Sequence, residues 1–367
     1  MNNEQITVGS FPYSPGFNPY QRLFTEAIET AGVKVKRIPP EKWFPLQRAL
    51  TIQCDILHLD WPHDWYRGKN LLSQTIKTSM YFQGLKKIRS RPVVWTAHNL
   101  VSHDSSNSSR EKQMIQALIN ECRGIMVMSN SAEQKLRESY DIPECASVKK
   151  ILHGHYIDCY LNQVSRAEAR ERFSISEDQF VYLVAGAIKP YKGHKEVIRA
   201  FAKCSSESDV LVIAGQISED FLKNLREDIS GVSDHCRGEI RLIPGFIENH
   251  ELQYYYNATD VTVLPFLDVL NSGSLLLAMS FGSPVIAPKL GSIPEIAPPD
   301  HYFGYETSCN PIGALETALK KSKEQLCQKS KSETVKQEII AFTKSQYDWR
   351  SSGENLALWY RSILGNL

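Results

Sequence analysis

The chain has 367 residues, 42% of them hydrophobic and 23% charged, with a formal net charge of +1. This is the composition of a folded globular protein, and the length exceeds one ordinary core, so two domains are predicted. A charge this close to zero excludes a generally basic surface, and no nucleic-acid partner is expected. Residues 1–165 carry 20 Lys and Arg against 15 Asp and Glu, and the remainder carries 22 against 26, so any anionic surface is expected to face the N-terminal part.

The eight cysteines are scattered along the chain, and no two form a Cys-x-x-Cys pair that would predict a zinc or redox site. We therefore expect reduced thiols, as in the cytoplasm, and neither a metal nor another cofactor. The N-terminus lacks the basic and apolar segments of a signal peptide, and no apolar run is long enough to span a membrane. The sequence predicts a cytoplasmic protein.

Strands and helices alternate through the first part of the chain. The apolar runs that predict strands are short and are bounded by glycine, proline or charged residues. They lie at 6–10, 33–38, 55–59, 92–97, 124–128 and 148–152. Helical spacing between them completes a pattern that is typical of a Rossmann-like domain with a parallel sheet.

Polar and aromatic side chains follow two of these strands. Asn18 stands where the helix after the first strand begins, and Asp60 and Trp61 directly follow the third strand. Ligand contacts in parallel sheets lie beyond the carboxyl ends of the strands. We therefore expect these residues to line a substrate site.

The fourth strand leads into HNLVSHD, residues 98–104. His98, His103 and Asp104 come together there, just past the end of a predicted strand. Imidazole and carboxylate groups in such a position suit acid–base work or hydrogen bonding to hydroxyl groups. They are the candidate catalytic residues.

Residues 65–103 contain no acidic side chain but carry seven Lys and Arg, all between 67 and 91. Apolar residues recur there at helical spacing from Leu71 to Ile88, which predicts a basic amphipathic helix. Such a helix either packs on its own domain with a solvated basic face or docks on an anionic membrane, which needs apolar and basic side chains together. Both interpretations stay open.

A polar, helix-prone stretch at 157–180 marks the junction between the domains, and a second alternating series follows it. Its strands are predicted at 181–185, 210–215, 240–243, 261–264 and 284–287, and its helices near 218–229, 249–257 and 273–281. A last helix at 349–364 carries apolar side chains that need a surface to pack on.

The first strand of this second series is followed by Gly186, by Lys189 and Lys192, and by a helix that begins after Gly193. A glycine lets an anion approach the backbone, a helix N-terminus offers unpaired N–H groups, and the lysines add positive charge. The spacing predicts a phosphate-binding turn, although glycine is also an ordinary residue at the turn of any strand–helix unit.

Three blocks of the second half resemble, in the right order, the donor domain of GT-B-fold glycosyltransferases, close to the family 4-type group. They are GAIKPYKGHKEVIRAF, PGFIENHELQYYYNATDVTVLPF and AMSFGSPVIAPKLGSIPEI. In the first half, NPY, HLDWP and TAHN resemble the same group more weakly. The resemblance implies an α/β GT-B architecture, with two Rossmann-like domains whose parallel sheets face each other across a cleft. It assigns acceptor binding to 1–165, donor binding to 166–345, and a helix that crosses back to the first domain to 346–367.

The resemblance also implies the activity. The chain is expected to move a sugar from a nucleotide-sugar donor, GDP-mannose or a UDP-sugar, to a glycan or lipid-linked acceptor without a metal ion. Cations and helix dipoles then have to stabilise the leaving diphosphate. The implied donor-binding residues are Gly186, Lys189, Lys192, Asn271, Ser272, Gly273 and Ser274. The implied acceptor-side residues are Asn18, Asp60 and Trp61.

The chain departs from the family pattern at the donor site. Val269 and Leu277 stand where the group usually has two glutamates eight residues apart, and Ala187 stands where an arginine is common. Asp268, next to the first position, is a possible substitute for one carboxylate, and Lys189 for the arginine. With both glutamates missing, the retaining stereochemistry of the group does not transfer.

Two mechanisms follow from this departure. An inverting enzyme needs a base from the first domain, for which Asp104 or His103 is the choice, with Asp60 behind them. A retaining enzyme needs no such base, and His98 would then contact a sugar hydroxyl. Two other functions also stay open, a GT-B enzyme such as a nucleotide-sugar epimerase and a non-catalytic subunit that binds sugar or nucleotide.

Overall fold

The computed structural model of the protein describes residues 5–14, 16, 18–40, 46–68, 70–100, 108–327 and 333–365. The chain forms two compact units, one made of Met1–Gly154 with Tyr347–Leu367 and the other of His155–Gln346. Each unit is built on a six-stranded parallel sheet. No helix among the described residues is long and apolar enough to cross a membrane.

The first unit alternates strands with helices, as the sequence predicts. Its strands are β1 (Thr7–Phe11), β2 (Lys34–Arg37), β3 (Ile56–Leu59), β4 (Val93–Thr96), β5 (Gly124–Val127) and β6 (Ser147–Lys150). Its helices before the second unit are α1 (Tyr20–Thr30), α2 (Gln47–Thr51), α3 (His63–Tyr66), α4 (Leu71–Ile88), α5 (Ser108–Ile119) and α6 (Asn130–Ser139). Every residue of β3, β4 and β5 is buried, because helices cover both faces of a parallel sheet.

The strand order of the first sheet is β2-β1-β3-β4-β5-β6. The chain runs from β1 outward to β2 and then crosses to β3 on the other side, so the sheet has its switch point between β1 and β3. The two strands pair in register, with Val8 opposite Ile56 and Ser10 opposite His58. Crevices beyond the carboxyl ends of strands at a switch point are where open α/β sheets bind ligands.

The second unit repeats this plan. Its strands are β7 (Phe180–Ala185), β8 (Asp209–Gly215), β9 (Glu239–Pro244), β10 (Val261–Val263), β11 (Val285–Pro288) and β12 (Tyr302–Tyr305). Its helices are α7 (Arg166–Arg172), α8 (His194–Cys204), α9 (Glu219–Ser230), α10 (Leu252–Ala258), α11 (Gly273–Ser280), α12 (Ile293–Ile296), α13 (Pro311–Leu326) and α14 (Glu333–Gln346). The order β12-β11-β10-β7-β8-β9 puts the switch point between β7 and β10.

The last helix, α15 (Trp349–Gly365), packs on the first unit, chiefly against α1. Gly353 permits a close approach of the two helices, because a Cβ there would lie 2.3 Å from the carbonyl oxygen of Ala27. The Tyr360 hydroxyl makes a hydrogen bond to His58 in β3, and Trp359 donates one to Ser147 Oγ at 3.1 Å. The predicted apolar face of α15 thus packs on the core of the first sheet.

The helix predicted in the basic segment is confirmed as α4, but its apolar residues do not share one face. Tyr81, Leu85 and Ile88 are buried in its second half, whereas Leu71 is 79% exposed and Leu72 is 72% exposed at its start. The predicted amphipathic character therefore holds only for the C-terminal half of the helix.

Candidate functional site

The predicted phosphate-binding turn lies at the switch point of the second sheet. Gly186 follows β7 with a backbone φ of 113°, and Gly193, with a φ of 70°, precedes α8. A Cβ at Gly193 would come within 1.8 Å of the Pro265 carbonyl oxygen, so no larger residue fits there. A Cβ at Gly186 would meet only the Lys192 Nζ, 3.8 Å away. Gly186 therefore leaves open space in front of the Lys192 ammonium.

The two lysines of this turn have no acidic partner within ion-pair distance in the part of the chain that the structure describes. Lys189 is exposed and Lys192 is half-buried. Burial, with a smaller effect of the Lys189 charge, lowers the pKa of Lys192 to about 8. A desolvated ammonium without a counter-ion favours an anionic ligand, because the ligand supplies the charge that the protein lacks.

The second predicted donor segment, residues 271–274, begins α11. The Ser272 side chain caps this helix and accepts a hydrogen bond from the Leu275 N–H at 3.1 Å, as expected of an ordinary N-cap. Gly273 is exposed, and Asn271 and Ser274 are partly buried. The N-terminus of α11, which follows β10, is therefore partly exposed to solvent.

Contacts join the lysine turn to the loop that leads into the second donor segment. The Leu267 N–H donates to the Tyr191 carbonyl oxygen at 2.9 Å, and the Lys192 Nζ lies 5.9 Å from the centre of the Phe266 ring. The loop between β10 and α11 thus packs on the lysine turn. Residues that are about 75 positions apart in sequence meet there because β7 and β10 are neighbours in the sheet.

The positions of the two missing glutamates hold apolar side chains in the fold. Val269 is buried, and Leu277 is partly buried on α11. Asp268, the possible substitute, is exposed. The turn therefore presents the positive charges of Lys189 and Lys192 without the two carboxylates that the family usually has.

The second group of predicted site residues meets at the switch point of the first sheet. The Asp60 N–H, just after β3, donates to the Phe11 carbonyl oxygen at 2.8 Å and so ties β3 to the end of β1. The Asp60 carboxylate is fully buried, and its Oδ1 accepts a hydrogen bond from His98 Nε2 at 2.8 Å. Its Oδ2 has no hydrogen-bond partner among the residues that the structure describes. His98, 13% exposed at its side chain, follows β4.

Aromatic rings fix the orientation of His98. The Trp61 ring stacks on the imidazole with centroids 4.4 Å apart and planes 13° apart, and the Tyr20 ring meets it edge-on at 5.0 Å. Trp61 holds a backbone φ of 39°, a left-handed conformation that is strained for so bulky a residue. Asn18 accepts a hydrogen bond from the Tyr20 N–H at 2.9 Å and so orders the start of α1 beside this cluster.

Two further histidines lie near His98, and burial keeps both neutral. Burial lowers the pKa of His58 to about 4, and His58 makes hydrogen bonds to Thr96 and Tyr360. Burial also lowers the pKa of His153 to about 4, and its Nδ1–H donates to the Gly154 carbonyl oxygen at 2.6 Å.

Tyr20 and His153 are not among the predicted site residues, although Tyr20 belongs to the NPY segment that resembles the family. His103 and Asp104, the predicted bases, lie outside the residues that the structure describes. Of the predicted catalytic residues, His98 is thus the one whose surroundings are known. No group of three His, Cys, Asp or Glu side chains suited to a metal occurs in the described ranges.

Comparison with known proteins gives three kinds of match. The profile of the family Glycosyl transferases group 1 matches residues 165–334, inside the second unit. A relative from Xanthomonas campestris pv. campestris, GDP-mannose:glycolipid 4-beta-D-mannosyltransferase, is 27% identical over 296 residues, which cover 79% of this chain and 76% of the relative.

Solved structures match over nearly the whole chain. Sucrose-phosphate synthase from Thermosynechococcus elongatus has a TM-score of 0.73 at 17% identity and covers 99% of this chain and 100% of its own. Anabaena HepE in complex with UDP and glucose has a TM-score of 0.69 at 15% identity and covers 98% of this chain and 100% of its own. At this level of identity the matches establish a shared fold.

Proposed function

We propose that the chain is a hexosyltransferase of the group 1 glycosyltransferases with a GT-B fold, and that it moves mannose from GDP-mannose to a hydroxyl group of a glycolipid. The relative from Xanthomonas carries that donor and that acceptor class in its name, and it matches three quarters of both chains. A UDP-sugar donor is the alternative. The relative and the solved structures described above are not named as epimerases or non-catalytic subunits.

The observation that carries donor binding is the uncompensated Lys192 ammonium in front of Gly186. A nucleotide sugar brings a diphosphate whose negative charge grows as the glycosidic bond breaks. Lys192, with Lys189 beside it and the N-terminus of α11 nearby, would hold that charge. We propose that these groups do so without a metal ion, in which case chelators leave the activity unchanged.

For the acceptor we propose that α4 brings the protein to an anionic membrane surface at the cytoplasmic face. Leu71 and Leu72 are exposed on its first turn, and Ile76, 51% exposed, lies one turn further. Lys86 and Lys87 are exposed near its end. Exposed leucines at one end of a helix and lysines at the other suit a bilayer whose surface is anionic and whose interior is apolar. The helix follows β3 and α3 in the chain.

The proposal is tested with purified protein, membrane glycolipid and labelled GDP-mannose, UDP-glucose, ADP-glucose or dTDP-glucose. We expect label to enter the lipid fraction from GDP-mannose alone, and GDP to raise the melting temperature. Transfer from another nucleotide sugar would show that this sugar, and not GDP-mannose, is the donor. If no donor is used and no nucleoside diphosphate binds, the proposed function is wrong.

A further inference from the structure

A buried histidine contacts the lysine turn of the second unit. His194 is the first residue of α8 and is only 2% exposed. Its Nδ1–H donates a hydrogen bond to the carbonyl oxygen of Lys189 at 3.2 Å, and the Phe221 ring of α9 meets the imidazole edge-on with centroids 6.5 Å apart. His194 therefore ties the beginning of α8 to the beginning of the turn.

The Lys189 carbonyl oxygen also accepts a second hydrogen bond. The backbone N–H of Lys192 donates to it at 3.0 Å across the short 3₁₀-helix Pro190–Lys192. A carbonyl oxygen has two lone pairs, and these two N–H donors use both of them. The oxygen is thus satisfied without the ammonium group of Lys192, which makes no hydrogen bond or ion pair among the described residues.

His194 satisfies this carbonyl without adding charge to the site. Burial, with a smaller effect of the Lys192 ammonium, lowers the pKa of His194 to about 4, so the imidazole is neutral near pH 7. A neutral imidazole carries one N–H, and a bond to a carbonyl oxygen requires it on Nδ1. A cationic side chain in this place would be repelled by Lys192, and an apolar one would leave the Lys189 carbonyl with one donor fewer.

We propose that His194 is a positioning residue for the binding of the donor diphosphate, and that it acts through Lys192. It occupies the Lys189 carbonyl, so that the Lys192 ammonium stays available to an anion in front of Gly186. Without the imidazole N–H, this carbonyl would have an unused lone pair that competes with phosphate oxygens for the ammonium. The inference rests on the proposed nucleotide-sugar donor and concerns the phosphate end of its site.

The test measures binding of GDP and of inorganic pyrophosphate to full-length variants by isothermal titration calorimetry. His194→Leu removes the N–H donor and should weaken the binding of both probes by about tenfold, the effect of one hydrogen bond lost at a buried group. His194→Asn keeps an N–H donor on the atom bonded to Cγ, as in histidine, and should stay within about threefold of the unmodified protein. His235→Leu, at an exposed histidine of the same unit, is the matched control and should bind both probes normally.

A double-mutant cycle separates positioning from general stabilisation. If His194 acts through Lys192, a protein with both His194→Leu and Lys192→Met should bind GDP no more weakly than Lys192→Met alone. Losses that multiply in the double variant would overturn the positioning role, because they would show that the two residues act independently. Melting temperatures without ligand show whether each variant is folded. If the leucine variant does not fold, His194→Ala, which also lacks the donor, takes its place in the cycle.

The outcomes distinguish this inference from the proposed function. Equal affinity for GDP in His194→Leu and in the unmodified protein would overturn the role of His194 while leaving donor binding in place. A loss in His194→Asn as large as that in His194→Leu would do the same, because the hydrogen bond would then not be the cause. Failure of the unmodified protein to bind GDP or pyrophosphate would instead overturn the proposed donor site, and the role of His194 with it.

Discussion

The ammonium group of Lys192 lies in a site without an opposite charge among the described residues. Its ammonium is half-buried beside Lys189, and no carboxylate approaches it within the described residues, since the positions of the usual glutamates hold Val269 and Leu277. Donor binding is therefore expected to depend on phosphate contacts more strongly than in a relative that also holds the sugar and ribose through carboxylates.

Lys192→Met should weaken the binding of GDP by about 10- to 100-fold, the range expected for a hydrogen bond to a charged group. The Met side chain is unbranched like that of Lys, is one atom shorter and carries no charge. Isothermal titration calorimetry measures the change. Lys203→Met, an exposed lysine later on α8, serves as the matched control and should bind GDP normally. Equal affinity in the Lys192 variant and the unmodified protein would contradict the phosphate assignment.

The pKa of Lys192 also predicts how GDP binding changes with pH. Burial lowers that pKa to about 8, so the free protein carries the ammonium below this pH and loses it above. GDP binds the charged form, and its own phosphates are fully ionised above pH 8. The dissociation constant should therefore be level below about pH 8 and should rise up to tenfold per pH unit above it.

The measurement is a titration with GDP at several pH values between 7 and 9.5. Lys192→Met should give a flat profile at its weaker affinity. A rise of the same steepness in this variant would assign the titration to another group.

The sequence predicts the lysine turn of the second unit more completely than the Asp60 and His98 pair of the first unit. Gly186, Lys189 and Lys192 lie within one strand–turn–helix unit, so local spacing alone indicates a phosphate site. Asp60 and His98 were each predicted from their positions after strands, but their pairing depends on β3 and β4 lying side by side. The partnership of His98 with Trp61 and Tyr20 depends on ring geometry, which sequence spacing does not encode.

At the scale of elements, α15 is held against α1 by close backbone contact. Gly353→Ala should lower the free energy of unfolding by about 1–3 kcal/mol, because the added methyl group must push the helices apart at Ala27. Chemical denaturation monitored by tryptophan fluorescence measures it. Gly365→Ala, on the same helix with open space around it, should be neutral or slightly stabilising. Equal stability of both variants would show that the helices tolerate a wider spacing.

The start of α4 makes a separate prediction. Replacing both Leu71 and Leu72 with Ser should lower binding to anionic vesicles by about tenfold or more, since each leucine contributes roughly 1.5–3 kcal/mol when it leaves water. Flotation with vesicles of phosphatidylglycerol and phosphatidylcholine gives the bound fraction. Leu358→Ser is the control, because that leucine is 61% exposed on α15 and lies in the same unit. An equal loss of vesicle binding in both variants would indicate nonspecific hydrophobic adsorption and would contradict docking through α4.

The predicted strands of the first unit all occur, with shifts of one or two residues at their ends. The second sheet contains one strand that was not predicted, β12, with the helices α13 and α14 after it. The sequence of β12, YFGY, is short and contains a glycine, which weakens any strand signal. It is ordered by pairing with the preceding strand β11 at the edge of the sheet, a contact that spacing within YFGY does not show.

At the scale of the whole molecule, each unit has its own core and its own switch point. We expect GDP to act on the second unit alone. Hydrogen exchange measured by mass spectrometry should slow in peptides that cover 180–204 and 264–280, and should stay unchanged in β1 to β4 of the first unit. The Lys192→Met protein at the same GDP concentration should show little slowing. Protection confined to the first unit would place the nucleotide elsewhere.

The position of α15 also bears on biosynthesis. The second unit is continuous in sequence, so all of its residues have left the ribosome while the first unit still lacks α15 and the Tyr360 partner of His58. Domains tend to fold in the order in which they emerge, but here the first unit must wait for α15, which follows the second unit in the chain. The surface that α15 covers, which includes Phe24 and Met126, is exposed in the nascent chain until then. Chaperone binding during synthesis is therefore expected to concentrate on the first unit.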